Sequence, residues 1–417
     1  MQVSSPPRTG RGAAFYVSPW INPDSACVGG IQHQPPEMRD AFKALETDLT
    51  GADVSGGSGA GKLARLLKEL ACFTGKKDLV LLNLTCLPAK MGDPAKVGRL
   101  LAKHGIKAQV LYNDPDVDQA VPPIIQKVRN EIARGAAKRI RKKPGAYNLV
   151  GFPRCREKNE LVSFLSDIGM RLNVELIPDI DFEDLGRLKA GQVTLLFPEI
   201  HFNGLYQAMF KGVDLNAISP PAPFGMEGSR MWLRSAARAA GLERKFDAAW
   251  KHWMKGAEKT WSALKAEARG HSIGFVGTAG ELKRFASPLR AAGVPIFQVL
   301  GEAGFGVELF VFRRPLEQES AAGALTDFIA SSFPILRGRV RETGFGSPGR
   351  LKSALQGSGS SAIYSDIFYD TRITRNSKTP LSIAFFRMGP KGALGTAEDI
   401  LGACGLGFYK QYGRYLE

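Results

Sequence analysis

Residues 147–178 read YNLVGFPRCREKNELVSFLSDIGMRLNVELIP, and this stretch decides the fold class. Tyr147 to Phe152 is an apolar run of strand length that closes on Gly-Phe-Pro. Lys158 to Met170 repeats its apolar residues at three- and four-residue spacing, the pattern of a helix packed on one face. Asn173 to Pro178 is a second apolar run, stopped by proline. Strand, helix and strand in that order predict a parallel pair, because parallel neighbours need a long crossover and a helix is the usual one.

The same rhythm extends in both directions. Upstream, a helical pattern over Gly61 to Phe73 precedes the apolar run LVLLNL (Leu79 to Leu84), a helix near Pro94 to His104 and the short strand AQVLY (Ala108 to Tyr112). A helix over Pro122 to Ala137 runs into the basic stretch KRIRKKPG (Lys138 to Gly145), where Pro and Gly mark a boundary. Downstream come the strand VTLLFP (Val193 to Pro198), a helix over Phe202 to Phe210 and the loop SPPAPFGMEG (Ser219 to Gly228). A helix from Ser229 to Ala240 follows, with Ser229 as its N-cap, and then a Trp-rich amphipathic helix over Arg244 to Arg269. The rhythm restarts at HSIGFVGT (His271 to Thr278), and PIFQVL (Pro295 to Leu300) and ELFVF (Glu308 to Phe312) read as further strands. Three α/β units are expected, over residues 1–145, 146–243 and 244–417, after a Ser-, Pro-, Gly- and Arg-rich tail of residues 1–12.

Composition narrows the function classes. A chain of 417 residues exceeds the size at which single cores stop growing, and 44% hydrophobic with 23% charged residues excludes wholesale disorder. No apolar run approaches the roughly 20 residues of a membrane span, and the N-terminus lacks the apolar core of a signal peptide, so a cytoplasmic protein is expected. Five cysteines, at 27, 72, 86, 155 and 404, make no disulfide framework. A formal net charge of +16 calls for an anionic partner.

Several motifs invite a chemical reading. GGSGAGKL (Gly56 to Leu63) has the glycines and lysine of a phosphate loop. It follows a polar segment instead of a buried strand, and Leu63 stands where Ser or Thr would hold magnesium, so it reads as a glycine turn into a helix. Cys27 lies in the small-residue loop DSACVGG, and Cys86 directly follows LVLLNLT. Residues at the carboxyl ends of strands in open α/β sheets face the ligand crevice, which puts Cys86 in position to hold a cluster or substrate; a buried packing role is the alternative for both. Cys155 also follows a strand. Glu199 and His201 follow VTLLFP and could deliver protons. KRIRKK reads as a solvated linker, since no nucleic-acid-binding motif adjoins it.

The Cys27 loop, LETDLTGADVSGGSGAGKLARLLKEL, LVLLNLTCLPAKMGDP, YNLVGF and PAPFGMEGSRMWL together, in order and spacing, resemble the nitrogenase component 1 type of protein. That family includes nitrogenase subunits, cofactor-assembly scaffolds, dark-operative protochlorophyllide and chlorophyllide reductases, the nickel-sirohydrochlorin reductive cyclase and methylthio-alkane reductases. The resemblance implies three Rossmann-like domains with parallel sheets around a central cleft. It also implies cysteines that hold an iron–sulfur cluster at a subunit interface. Cys27 corresponds to the family's Gly-Cys loop. Cys86 corresponds to the Thr-Cys turn, with Met91-Gly92-Asp93 after it.

The departures refine that implication. The first family cysteine has no counterpart here, so two thiolates from this chain and two ligands from a partner would complete a [4Fe–4S] cluster rather than a larger one. FPEIHFNGLYQAMF has no cysteine and MGPKGALGTAEDIL no histidine to anchor an iron–molybdenum type cofactor. The resemblance therefore implies a two-component reductase subunit. Its partners would be an ATP-dependent iron–sulfur reductase protein and an identical or sister subunit, and its substrate a small unsaturated molecule, a tetrapyrrole first. A cofactor-assembly scaffold and a methylthio-alkane reductase-like subunit are the alternatives within the family, separated by substrate turnover. Outside it stands a basic α/β ATPase or nucleic-acid-binding protein, separated by salt-steep DNA binding without iron. Neither nucleic acid nor a membrane is the expected partner.

Overall fold

The computed structural model describes residues 2–4, 14–18, 42–44, 68, 79–85, 99, 102–105, 108–113, 128–134, 140–153, 155–176, 182–198, 206–207, 209–286, 293–313, 323–365 and 370–415. Among the described residues, fourteen strands fall into three sheets. The first holds β1 (Gln2–Ser4), β2 (Ala14–Ser18), β3 (Phe42–Ala44), β4 (Leu79–Thr85) and β5 (Ala108–Asn113), in the order β3-β1-β2-β4-β5. β2, β4 and β5 run parallel, whereas β1 pairs antiparallel with both β2 and β3. Part of the expected N-terminal tail is thus strand: Gln2 to Ser4 pair with Tyr16 to Ser18, and ladder hydrogen bonding overrides a composition that locally favours coil.

The second sheet contains β6 (Ala146–Val150), β7 (Arg171–Leu176), β8 (Val193–Leu196) and β9 (Ala217–Ile218), all parallel, in the order β7-β6-β8-β9. Its first crossover is the helix α1 (Arg156–Asp167), so the β-α-β unit expected from residues 147–178 is present. All five residues of β6 are buried, as a strand covered on both faces requires. Its one amide, Asn148, donates to Leu188 O at 2.8 Å and Thr194 Oγ1 at 2.9 Å and accepts from Asn173 Nδ2 at 2.8 Å. Without those partners the buried amide would cost several kcal/mol, roughly the transfer penalty of an unpaired polar group.

After β9 come two helices, α2 (Gly225–Ala239) and α3 (Glu243–Ala268). α2 begins four residues before Ser229, so that serine is not an N-cap. It is fully buried inside the helix, and its hydroxyl bonds back to Gly225 O at 2.6 Å. The third sheet contains β10 (Ser272–Thr278), β11 (Gly306–Phe312), β12 (Val340–Phe345), β13 (Ala362–Tyr364) and β14 (Thr379–Leu381), all parallel. Around it lie α4 (Ala279–Arg284), α5 (Ile296–Ala303), α6 (Ala324–Ser332), α7 (Pro348–Gly357) and α8 (Gly389–Gly405). The segment PIFQVL is α5, not a strand. Ile296, Phe297, Val299, Leu300 and Ala303 are all buried, and a short run apolar on every side carries no period that separates helix from strand. Gly304, at φ +100°, ends it.

One apolar core joins the second and third sheets. It includes Leu149 of β6, Phe164 of α1, Trp232 of α2, Phe246 of α3, Phe275 of β10 and Ile400 of α8. No described helix is long and apolar enough to cross a membrane.

Candidate functional site

In the second sheet the chain winds from β6 outward to β7, then returns to the other side of β6 with β8 and β9. The reversal lies between β6 and β8, and ligands of open α/β sheets bind outside the carboxyl ends of strands at such a point. The third sheet reverses between β10 and β13, in the order β12-β11-β10-β13-β14. The connections that leave the carboxyl ends of β9 and β14 meet. The connection leaving β9 reaches Phe224 and the connection leaving β14 reaches Met388, and these two residues form an antiparallel bridge. Gly389 N donates to Pro223 O at 2.8 Å beside it.

At the β6–β8 reversal the floor is aromatic. Phe152 and Phe197 sit edge to face at 5.2 Å, Trp232 lies 5.5 Å from Phe152, and Phe224 lies 6.4 Å from Phe197. The hydroxyl of Tyr206 is within reach of two carbonyls at the same edge, Phe197 O at 3.0 Å and Val150 O at 3.2 Å. Pro198 and Tyr206 thus both stand at the reversal, and Glu199 and His201 lie between them in sequence. Gly293 closes in from the third unit. A Cβ there would stand 2.7 Å from the Phe197 ring and 3.2 Å from Pro198 O.

Glu199, His201, Cys27, Cys86, Cys72 and GGSGAGKL lie outside the described residues. The backbone nonetheless fixes where two of those segments begin. β2 and β4 are adjacent and parallel, with Val17 opposite Leu82, and β4 lies inside the sheet between β2 and β5. Cys86 is the first residue past the carboxyl end of β4, and the chain that leads to Cys27 leaves the same edge from β2.

Burial disfavours the thiolate at both described cysteines. Cys155, the residue before α1, has its thiol pushed up to about 11, chiefly by burial. Cys404, on α8, is pushed up to about 12 by burial alone. Metal ligation needs thiolate, which burial disfavours at both. Among the described residues no group of three or more His, Cys, Asp or Glu side chains could hold a metal ion. Of the basic run, Arg141, Lys142 and Lys143 are exposed, with Lys143 N bonded to Ala190 O at 2.9 Å.

The sequence profile of the family described as "Nitrogenase component 1 type Oxidoreductase" matches residues 27–305, well over half of the chain. The chain belongs to this family. Among solved structures, "Nitrogenase Cp1 at pH 5" superposes with a TM-score of 0.52 at 12% identity, over 88% of this chain and 79% of that one. "Nitrogenase Cp1 at pH 6.5" gives 0.51, with the same identity and coverage. At such identity these neighbours speak for the fold, which is the α/β, Rossmann-like architecture of nitrogenase component 1. No curated protein matches the chain.

Two carboxylates of the crossover had no part in the sequence reading. Glu302 of α5 accepts from Glu227 N, 75 residues away in the chain, and Glu160 of α1 accepts from Lys391 N, 231 residues away. Contacts at that separation leave no local signature. The only hint is a glycine after a bulky apolar residue at each helix start, Phe224-Gly225 and Met388-Gly389.

Proposed function

We propose that this oxidoreductase is the catalytic-component subunit of a nitrogenase-like two-component reductase. Cys27 and Cys86 would hold a [4Fe–4S] cluster shared at a subunit interface. The observation that supports this reading is that β4, an interior parallel strand, ends at Thr85, directly before Cys86 in sequence, and that its parallel neighbour β2 ends at the same edge, upstream of Cys27. The donor set fits such a group. Two thiolates from this chain would leave half of a four-cysteine set to a second, identical or sister chain. The bound group supplies one-electron storage and transfer at low potential.

This chain's own residues do the rest. The buried rings of Phe152, Phe197 and Trp232 pack the β6–β8 edge rigidly beneath the crevice, where the substrate would be a small unsaturated molecule, with a tetrapyrrole favoured. Reduction of a carbon–carbon double bond consumes two electrons and two protons. Glu199 and His201, which follow VTLLFP in sequence, are the candidate proton donors. An ATP-dependent iron–sulfur reductase protein would dock, deliver electrons and leave, and the net charge of +16 suits electrostatic steering of an acidic partner.

Anaerobic purification with iron and sulfide analysis and EPR tests the reading. A cluster signal that collapses in Cys86→Ala and in Cys27→Ala is expected. A chain that stays colourless with every sister subunit, or a cluster unaltered by Cys86→Ala, overturns it.

A further inference from the structure

The second and third units are joined by a reciprocal crossover. α2 starts from the second sheet and α8 from the third; the two lie side by side and begin at the same place, the Phe224–Met388 bridge. Each opens with a glycine at positive φ, Gly225 at +73° and Gly389 at +83°. Each amino terminus is met by a carboxylate from the other unit. Glu302 of α5, in the third unit, accepts from Glu227 N at 3.1 Å in the first turn of α2. Its other oxygen accepts from Gln298 Nε2 at 2.8 Å. Glu160 of α1, in the second unit, accepts from Lys391 N at 3.1 and 3.3 Å in the first turn of α8.

The glycines make these approaches possible. A Cβ at Gly225 would stand 2.8 Å from Glu302 Oε2, and one at Gly389 would stand 2.9 Å from Glu160 Oε2. Each glycine thus meets two demands: positive φ, which L side chains rarely adopt, and room for a carboxylate against the first turn. The first turn of a helix has unsatisfied N–H groups and the positive end of the macrodipole, so a carboxylate fits there without a basic partner. Glu302 is 6% exposed and Glu160 half-buried. Two such contacts, exchanged between units and flanking one backbone bridge, are more than helix termination requires, because either helix could have been capped from its own unit.

We infer that Glu160 and Glu302 are positioning residues that latch this crossover from both sides, and so fix how far apart the carboxyl edges of the second and third sheets stand. The latch follows from the crossover geometry alone and holds whatever the crevice binds. Because α2 and α8 are tied at Phe224–Met388 and by Gly389 N to Pro223 O, releasing one cap loosens the other helix start as well.

Hydrogen–deuterium exchange on the full chain reads this directly. In Glu302→Ala, amides 226–228 should exchange roughly fivefold faster, the effect of one lost cap. The telling amides are across the bridge: 389, 391 and 392 should also speed up, and in Glu160→Ala amides 224–228 should do so in return, while α7 keeps its wild-type rates. If either alanine variant does not fold, Glu302→Gln and Glu160→Gln, which keep one acceptor oxygen, should show the same crossed pattern at smaller amplitude. Acceleration confined to the helix whose own cap was removed, in the alanine or the glutamine pair, overturns the latch.

Discussion

At the β6–β8 reversal of the second sheet the strands end on buried rings, Phe152 and Phe197, backed by Trp232. At the β10–β13 reversal of the third sheet they end on polar groups that satisfy one another. Thr278 N and its hydroxyl donate to Glu281 at 2.7 and 2.8 Å, the Ser365 hydroxyl donates to Asp370 at 2.9 Å, and Arg372 grips Asp370 through two bonds of 2.8 and 2.6 Å. The winding rule is shared and the chemistry is opposite. The apolar edge is held by buried packing, and its rings have no hydrogen bond to lose. The paired polar edge would have to break its own hydrogen bonds to bind anything. Topology therefore nominates two crevice walls, and side-chain chemistry makes them unequal.

The difference can be broken from the apolar side first. Trp232→Ala removes a fully buried ring at the centre of the shared core, and a loss of about 3–5 kcal/mol is expected by denaturant unfolding. A loss below about 0.5 kcal/mol, within the range of ordinary surface substitutions, would mean that the aromatic floor is not an organising element. Gly293→Ala is expected to cost roughly 1–3 kcal/mol, since a Cβ there meets the Phe197 ring at 2.7 Å on a backbone held at φ +82°. An unchanged unfolding midpoint would show that the third unit does not press on the β8 edge.

From the polar side the expected effect is smaller. Asp370→Asn leaves the side chain buried but removes the charge that holds Arg372. Because the Arg372 side chain is 55% exposed and can rehydrate, a loss of about 1 kcal/mol is expected. A loss as large as that of Trp232→Ala would erase the distinction between the two walls.

These same residues mark the limit of sequence reading here. Strands buried on both faces, such as Tyr147 to Val150, announce themselves as apolar runs between turn residues, and the β-α-β order follows from them. The position of Cys86 at a strand end was legible for the same reason. PIFQVL was not, because a helix buried all round and a buried strand look alike over six residues. Nor was the start of α2, where a serine suggested a cap but a carboxylate 75 residues later in the chain supplies the acceptor. Local propensity encodes local hydrogen bonding, whereas the crossover is satisfied between units.

The smallest effects are in pH dependence, and there the junction and the polar wall should differ in sign. Burial pushes Glu302 above its ordinary value, against the hydrogen bonds from Gln298 and the α2 backbone, and the charge of Glu227 adds to the rise. Burial likewise raises Glu160 and Glu157 adds to it, against the backbone and charge of Lys391 and the backbone of Gly392. A carboxyl raised by folding contributes stability that is complete below its unfolded value, about 4.3, and is lost as pH rises through the folded value. Asp370 runs the other way. Burial raises it, but the hydrogen bonds and charge of Arg372 and the Ser365 hydroxyl outweigh burial and leave it below its ordinary value. Its contribution is present above the unfolded value, about 3.9, and is lost as pH falls through the folded one. Unfolding midpoints measured across pH should therefore fall less steeply above about pH 4.3 in Glu302→Gln than in the wild type, while Asp370→Asn should flatten only the decline below about pH 3.9. If both substitutions altered the same limb of the profile, the junction and the polar wall would not be electrostatically distinct, and the contrast between a desolvated latch and a self-paired edge would fail.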